Sequence, residues 1–377
     1  MRALLVSGIW PPDVGGPASH APELAAFLQG RGHEVEVVTT AAAEPAPGSF
    51  RVEWISRSLP IGARHLAVAE RVRSRARRAD VVYATSMIGR AALGATLARR
   101  PLVVKLTTDE AYERARRRGL FAGDLDDFQR HRGGVRVAAL RRARDIALGR
   151  ASRILCPSAY LRDMAVSWGV PAERVLVVAN PAPELPPLPE RAAARAGLGV
   201  NGGLLVLAGR IGRQKALEVA LRALERVDGV SLLVAGDGPE RAEMEGLAGE
   251  LELGDRVRFL GLQPRVRVLE LFRAADASLL SSAWENFPHT VVESLAVGTP
   301  VIATRVGGVA EVVQDGVNGL LVPPGDVGAL AAAISDFFAD PVLRERLGSA
   351  AAPSVADYAP ERLLARVEAE LARAAGT

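Results

Sequence analysis

Short apolar runs, each followed by a loop and then a helical pattern, recur along the whole chain of 377 residues. RALLVSG (2–8), EVEVVTT (34–40), DVVYAT (80–85), PLVVKL (101–106), RILCPS (153–158) and RVLVVAN (174–180) make a first series. LLVLAGR (204–210), VSLLVAG (230–236), RVRFLG (256–261), ASLLSS (277–282), PVIAT (300–304) and GLLVPP (319–324) make a second. Near-continuous Val/Leu runs read as strands covered on both faces, and their alternation with helices predicts parallel sheets. Between the series lies NPAPELPPLPE, Asn180 to Glu190, with five prolines. Proline fixes φ and lacks an N–H, so this stretch extends neither sheet and reads as a stiff linker. The length fits two domains at roughly 100–200 residues each. The expected fold is α/β: two doubly wound parallel-sheet domains, 1–180 and 191–352, joined by linker 181–190, with an interdomain cleft. The amphipathic tail 353–377 is read as a helix that can pack back on the N-terminal domain.

Composition narrows the setting. A single cysteine, Cys156, leaves no disulfide framework or paired-cysteine zinc site and points to a reducing compartment. MRALLVSGIW is too short an apolar run for a secretory signal, and no uncharged stretch reaches the ~18 residues of a membrane span. A cytoplasmic protein is expected. Residues 1–180 carry 28 Lys and Arg against 17 Asp and Glu, whereas residues 181–377 carry 19 against 26. The two halves therefore attract different partners.

Ligands of open parallel sheets gather at the carboxyl ends of strands, so the loops there matter most. In SAWENFPHTVVESLAVG, Glu285 precedes a helix and Glu293 lies in its first turns, off the apolar stripe of Val291, Val292, Leu295 and Ala296. Backbone N–H groups of Asn286, Phe287, His289 and Thr290 at such a helix start suit an anion or a hydroxyl. Carboxylates suit sugar hydroxyls, and one of them spans a vicinal diol such as a ribose. The plainer reading is a solvated Glu285 and a Glu293 that complements the helix dipole. In LAGRIGRQKALEVALRAL, Arg210 and Lys215 sit at a strand end and a helix start, and two cations with a dipole suit a diphosphate. Arg213 is an alternative to either. VAGDGPE offers Gly236 and Gly238 in a tight turn but lacks the third glycine of a dinucleotide fingerprint. At the N-terminus, Gly15 and Gly16 let backbone approach a ligand just before a helix.

With these loops assembled, the chain resembles the retaining glycosyltransferases of the large family numbered four, also called glycosyl transferases group 1. Members have the GT-B fold of two Rossmann-like domains. The resemblance rests on Gly15–Gly16, GR with QK around Arg210 and Lys215, GDGPE, and ENFPHTVVE as the family's E-x7-E. GTPVIATRVGGVAEVVQDGVNGLLVPPGD, which follows, is similar as well. The resemblance implies an acceptor-binding N-terminal domain and a C-terminal domain that binds a UDP-, GDP- or ADP-sugar. Glu293 would take the ribose and Glu285 would face the transferred hexose-type sugar. Arg210 and Lys215 would neutralise the leaving diphosphate. Asn286, Phe287, Pro288 and His289 would contact donor hydroxyls or phosphate, with Gly236 and Gly238 nearby, and the Gly15–Gly16 loop would close over the phosphates. No metal or other cofactor is implied.

One departure concerns catalysis. Many relatives carry a His after the strand corresponding to PLVVKL; here KLTTDEAYERARRRG places Asp109 and Glu110 there. Asp109 is either an orienting or general-base group or the cap of the helix beginning EAYERARRR. The run through DEAYERA and DLDDFQ resembles surface-polysaccharide members, which implies a sugar or lipid-linked acceptor. DLDD, Asp124 to Asp127, contains an Asp-x-Asp but reads as a solvated helix start rather than a metal site. The basic stretches RVRSRARR (71–78), RARRR (114–118) and RRARDIALGR (141–150) fit contact with an anionic membrane, which would place the enzyme at its inner face. Nucleic acid is not an expected partner, because interleaved aromatics and recognition motifs are missing. The rival functions are a nucleotide-sugar epimerase or a phosphorylase on the same fold, the latter needing a pyridoxal lysine from Lys105 or Lys215, and a non-catalytic nucleotide-sugar-binding protein.

Overall fold

The computed structural model describes residues 1–13, 16–45 and 49–376. The chain forms two compact units, one of Met1–Ala179 with Glu361–Thr377 and one of Asn180–Pro360.

The first unit holds strands β1 (Arg2–Ser7), β2 (Glu34–Ala41), β3 (Arg51–Ser56), β4 (Val81–Ala84), β5 (Leu102–Lys105), β6 (Arg153–Cys156) and β7 (Val175–Val177). All pair in parallel in the order β3-β2-β1-β4-β5-β6-β7. Alternate residues Ala3, Leu5, Val35, Val37, Val81, Tyr83, Val103 and Leu155 share one core. The helix Gly16–Gly30 adds Leu24 and Leu28 to that core. The terminal helix Pro360–Ala375 adds Leu364, Val367 and Leu371. Each such buried side chain is worth about 1.5–3 kcal/mol relative to exposure, enough to hold this helix on the first unit.

Strand β3 was not among the apolar runs. RVEWIS alternates polar and apolar residues, as suits an edge strand, and a search for doubly covered strands passes over it. Its Glu53 is buried and held by arginines.

The second unit holds β8 (Gly203–Ala208), β9 (Val230–Ala235), β10 (Val257–Gly261), β11 (Ala277–Leu280), β12 (Val301–Thr304) and β13 (Gly319–Val322). They are parallel, in the order β10-β9-β8-β11-β12-β13. Successive side chains point to opposite faces. Leu205, Leu207, Leu232, Val234 and Leu279 therefore enter a core covered by the helices Leu217–Glu225 and Val327–Ala339. Leu204, Val206, Ala208, Leu233 and Ala235 enter another, covered by the helix Arg265–Ala274. Both faces are thus filled, as continuous apolar strands require. Both sheets are Rossmann-like and doubly wound.

The wiring positions a site. In the second unit the chain runs outward from β8 through β9 to β10, then crosses to β11 on the other side of β8. The loops after β8 and β11 therefore diverge at a switch point, where ligands of such sheets bind. Among the described residues, no helix is long and apolar enough to cross a membrane.

Candidate active site

The loop after β8 begins at Gly209, whose φ of +142° disfavours any other residue. A Cβ there would lie 2.9 Å from Lys215 Cε, so the lysine side chain lies across Gly209. Lys215 N–H donates to Gly212 O at 2.8 Å, closing the loop. Ala216 follows in the left-handed region, with φ 43°, and the helix Leu217–Glu225 starts from it. A non-glycine residue held there is a strained position, of a kind that clusters at functional sites.

The loop after β11 is tied to this one. Ala283 N–H donates to Gln214 O at 2.8 Å, and Ser281 Oγ donates to Lys215 O at 2.8 Å. Gln214 Nε2 donates to Trp284 O at 3.2 Å and to Glu285 Oε2 at 3.3 Å. Lys215 Nζ lies 2.7 Å from Glu285 Oε1, which also accepts from Ser282 Oγ at 2.9 Å. Thr304 Oγ1 donates to Ser282 O at 2.6 Å, and Gly308 N–H donates to Glu285 O at 3.2 Å. Glu285 is buried, not solvated. Three loops thus fix one carboxylate against one ammonium at the switch point.

Glu293 lies in the helix His289–Ala296 and is mostly covered, though the apolar stripe alone places it outward. Burial pushes its carboxyl above the usual carboxylate range, opposed by Arg265, whose Nε stands 3.2 Å away. His289 N–H is turned to Phe287 O at 3.1 Å, so this N–H, expected for a ligand, is taken. Thr290 remains in the first turn, where helices leave N–H groups without intrahelical partners. Asn180 Nδ2 stands 3.0 Å from His289 Nε2. The Phe287 ring is buried, 5.5 Å from His289 and 6.2 Å from Tyr358 between centroids, and Pro288 precedes the helix. Phe287 supports the loop by packing.

Arg210 is exposed and makes no ion pair among the described residues. Arg213 is drawn to Glu240 at 3.8 Å, which leaves Arg210 the available cation. Gly236 and Gly238 have a packing reason. A Cβ on Gly236 would fall 1.8 Å from Gly209 O, and one on Gly238 2.0 Å from Ile211 O. With Ile211 N–H donating to Asp237 O at 2.9 Å, the loop after β9 presses backbone to backbone on the loop that carries Lys215.

In the first unit, Gly15 lies outside the described residues, and Gly16 opens the helix Gly16–Gly30. Asp109 is fully buried. It caps the helix Glu110–Arg117, accepting from Ala111 N at 2.8 Å and Tyr112 N at 3.4 Å. Its other oxygen accepts from Gln129 Nε2 at 3.1 Å and from Arg144 Nη1 at 2.6 Å. Both oxygens are engaged in the core, so the helix cap describes Asp109 and it has no place in the proposed chemistry. Of DLDD, Asp124 caps the helix Leu125–Arg130, Asp126 accepts from Tyr160 at 2.7 Å, and Asp127 pairs with Arg130 at 2.9 Å. Lys105 is fully buried, its Nζ donating to Val178 O at 2.6 Å, and burial pushes its ammonium down to about 7. Sealed there, it offers no pyridoxal site.

Residues 191–353 match the model for glycosyl transferases group 1, and residues 15–181 match the glycosyl transferase 4-like domain. The chain belongs to the group 1 glycosyl transferases. It is 40% identical over 158 residues to D-inositol 3-phosphate glycosyltransferase of Mycolicibacterium gilvum, covering 40% of this chain and 36% of that one. The counterpart from Mycolicibacterium smegmatis is 41% identical over 154 residues, 39% of this chain and 35% of its own. The matched stretch spans about a third of the length of these curated relatives. Among solved structures, HepE of Anabaena in complex with UDP superposes with TM-score 0.79 at 23% identity, covering 99% of this chain and 100% of that one. WaaG, a glycosyltransferase of lipopolysaccharide biosynthesis, gives 0.73 at 18% identity, covering 98% and 99%. These likenesses show the GT-B fold. Gln214, Ser282 and Arg265 are the residues around the two glutamates that motif reading did not assign; only Gln214, beside Lys215 in QK, carried a local signal.

Proposed function

We propose that this group 1 family member is a retaining glycosyltransferase. It moves a hexose-type sugar from a nucleoside-diphosphate sugar to an acceptor hydroxyl on a glycolipid or polysaccharide intermediate. The observation that carries this reading is the Lys215–Glu285 pair, 2.7 Å apart at the switch point of the second sheet. An ammonium fixed by a buried acid at a strand end is a preset cation for a leaving phosphate.

Glu293 receives the ribose diol, and Lys215 and Arg210 meet the diphosphate. Glu285 keeps Lys215 in place and faces the transferred sugar. As the glycosidic bond breaks, the sugar becomes oxocarbenium-like and negative charge gathers on the departing phosphate. Fixed cations already in position stabilise that state without reorganising. No enzyme nucleophile is assigned; the acceptor attacks from the face the phosphate leaves, and the phosphate helps take its proton. Arg210 and Lys215 supply the charge a metal would bring, so activity persists in excess chelator. The relatives seen with UDP and UDP-glucose make uridine donors the first choice. An acceptor on a lipid carrier fits the basic stretches of residues 1–180, which would draw the protein to an anionic membrane.

The test is a matrix of nucleotide sugars and candidate acceptors, with products read by mass spectrometry. Nucleoside diphosphate released only with acceptor, and an acceptor heavier by one hexose of retained anomeric configuration, is the expected result. Epimerised donor without acceptor would transfer the assignment to an epimerase. Binding with no turnover across the matrix would leave a binding protein. Loss of all activity in chelator, restored by Mn²⁺, would overturn the metal-independent part.

A further inference from the structure

We propose that the first unit carries a separate site for a phosphate group, lined by Arg51, Ser74, Arg75, Arg77 and Arg78. These residues surround a cavity of about 400 Å³. It lies at the amino ends of the strands: Arg51 opens β3, and Ser74 to Arg78 end the helix Ile61–Ala76 and follow it. That is the edge of the first sheet opposite its carboxyl ends.

A helix C-terminus alone accounts for one or two cations, because its carbonyl dipole favours them. Four arginines exceed that need, and no carboxylate lines this cavity. The cations are also arranged. Burial alone would raise the Glu53 carboxyl, but Arg71, Arg75 and Arg51 outweigh it and hold it below the usual range. Glu53 pairs with Arg75 and lies 2.8 Å from Arg51, so one buried acid orients two guanidinium groups of the cavity wall. Arg75 Nε is buried with no hydrogen-bond partner among the described residues and lies 3.9 Å from Glu36, so the ligand would meet the outer nitrogens of this guanidinium. Arg77 and Arg78 are exposed and make no direct ion pair among the described residues, although Arg77 is near enough to help lower the Glu70 carboxyl. The planar fork of arginine matches phosphate oxygens two at a time, and Ser74 adds a hydroxyl.

An adjoining cavity of about 470 Å³ shares Arg51, Arg75 and Arg78 and adds Gln29, His33 and Phe50. It also contains Glu34 and Glu36, which repel an anion. The phosphate therefore seats in the first cavity, and an uncharged polar body attached to it extends into the second. A soluble phosphate ester and a phospholipid headgroup share this chemistry.

The test compares the parent with the double variant Arg77→Gln/Arg78→Gln, whose residues are exposed and outside the donor site. Pyrophosphate is titrated into each by calorimetry, with the nucleoside diphosphate of the donor as a control. Flotation with phosphatidylcholine vesicles, with and without phosphatidylglycerol, forms the second arm. Pyrophosphate binding weakened at least about 10-fold in the variant, with nucleoside diphosphate binding unchanged, is expected for a soluble ligand. Loss of flotation on phosphatidylglycerol vesicles that pyrophosphate also abolishes in the parent identifies a headgroup and supports the site equally. Parent and variant alike in both arms would overturn the proposal, since any pyrophosphate binding then lies elsewhere. So would a flotation loss that pyrophosphate does not compete, which would be diffuse surface charge. None of these outcomes depends on glycosyl transfer, so the site stands or falls apart from that reading.

Discussion

Both units bury an acid against a base near the carboxyl end of a strand, and the two pairs differ in what surrounds them. Asp109 and Arg144, after β5, have side-chain exposures of 0% and 5%, and Glu285 and Lys215, after β11 and β8, have 7% and 14%. Asp109 is closed off by Ala111 N–H, Tyr112 N–H, Gln129 and Arg144, while Arg144 stacks over Trp168 at 3.8 Å. Trp168 Nε1 in turn donates to Gln129 Oε1 at 2.8 Å. That network braces one helix start against a neighbouring helix. Glu285 and Lys215 join two loops that diverge at a switch point, beside an exposed Arg210 and a strained Ala216. A buried ion pair alone is weak evidence of function. What separates brace from site is whether the pair bridges loops at an open strand end.

The largest expected effect follows from the brace. Asp109→Ala strands a buried guanidinium and removes a helix cap, so denaturant unfolding should show a loss of about 3–5 kcal/mol. Donor affinity of the folded fraction should be unchanged. A stable Asp109→Ala protein with lost transfer would reverse the contrast and return Asp109 to the chemistry.

Lys215→Ala tests the other pair. Removing one preset stabiliser of developing charge typically lowers kcat by about 10²–10³-fold, and that is the expected loss in single-turnover rate. Its stability loss should be smaller than that of Asp109→Ala, because Lys215 is less deeply buried than Arg144, at 14% against 5% exposure, and Glu285 keeps Gln214 and Ser282 as donors. A large stability loss with an intact rate would make this pair a second brace.

Much of this contrast was legible in the residues, and what was missed has a physical pattern. The twelve apolar runs all contain strands, because a doubly covered strand must be apolar throughout. Strand β3 escaped because an edge strand is free to alternate. Glu285, Glu293, Arg210 and Lys215 stood out through local spacing. Their partners did not: Gln214 and Lys215 meet Glu285 across about 70 residues, and Arg265 lies far upstream of Glu293 in sequence. The glycines 236 and 238 were legible as a tight turn near the nucleotide, but not the backbone of the loop after β8 that leaves no room for a Cβ on either. Pairing across loops is decided by strand order, which local sequence does not state.

Glu293→Gln sharpens the contrast from a third side. A carboxylate accepting from a ribose diol makes charge-assisted bonds worth about 1.5–3 kcal/mol each, so donor affinity should fall about 10–100-fold. Stability should move the other way. A carboxyl raised by burial contributes stability that is complete below its unfolded pKa and lost as pH rises through the folded one. At neutral pH the ionised Glu293 is therefore a cost, and the glutamine variant should melt no lower than the parent. A variant with weakened stability and parental donor affinity would make Glu293 a structural residue like Asp109.

The smallest effect concerns Arg265, which is half exposed and stands 3.2 Å from Glu293. Burial raises the Glu293 carboxyl, and Arg265 is the group that lowers it. Arg265→Met removes that opposition, so the carboxyl rises further and takes up its proton at a higher pH. A protonated Glu293 has fewer lone pairs for the ribose, so donor affinity should decline on acidification in both proteins but begin to fall earlier in the variant. A partly exposed pair is worth about 0.2–1 kcal/mol, which limits the difference to roughly 5-fold at the most sensitive pH. Above the range where Glu293 titrates, the two dissociation constants should converge. Curves displaced by a constant factor at every pH would mean that Arg265 touches the donor directly. Coincident curves would mean that Arg265 does not set the charge of Glu293 and that the pair is incidental to donor binding.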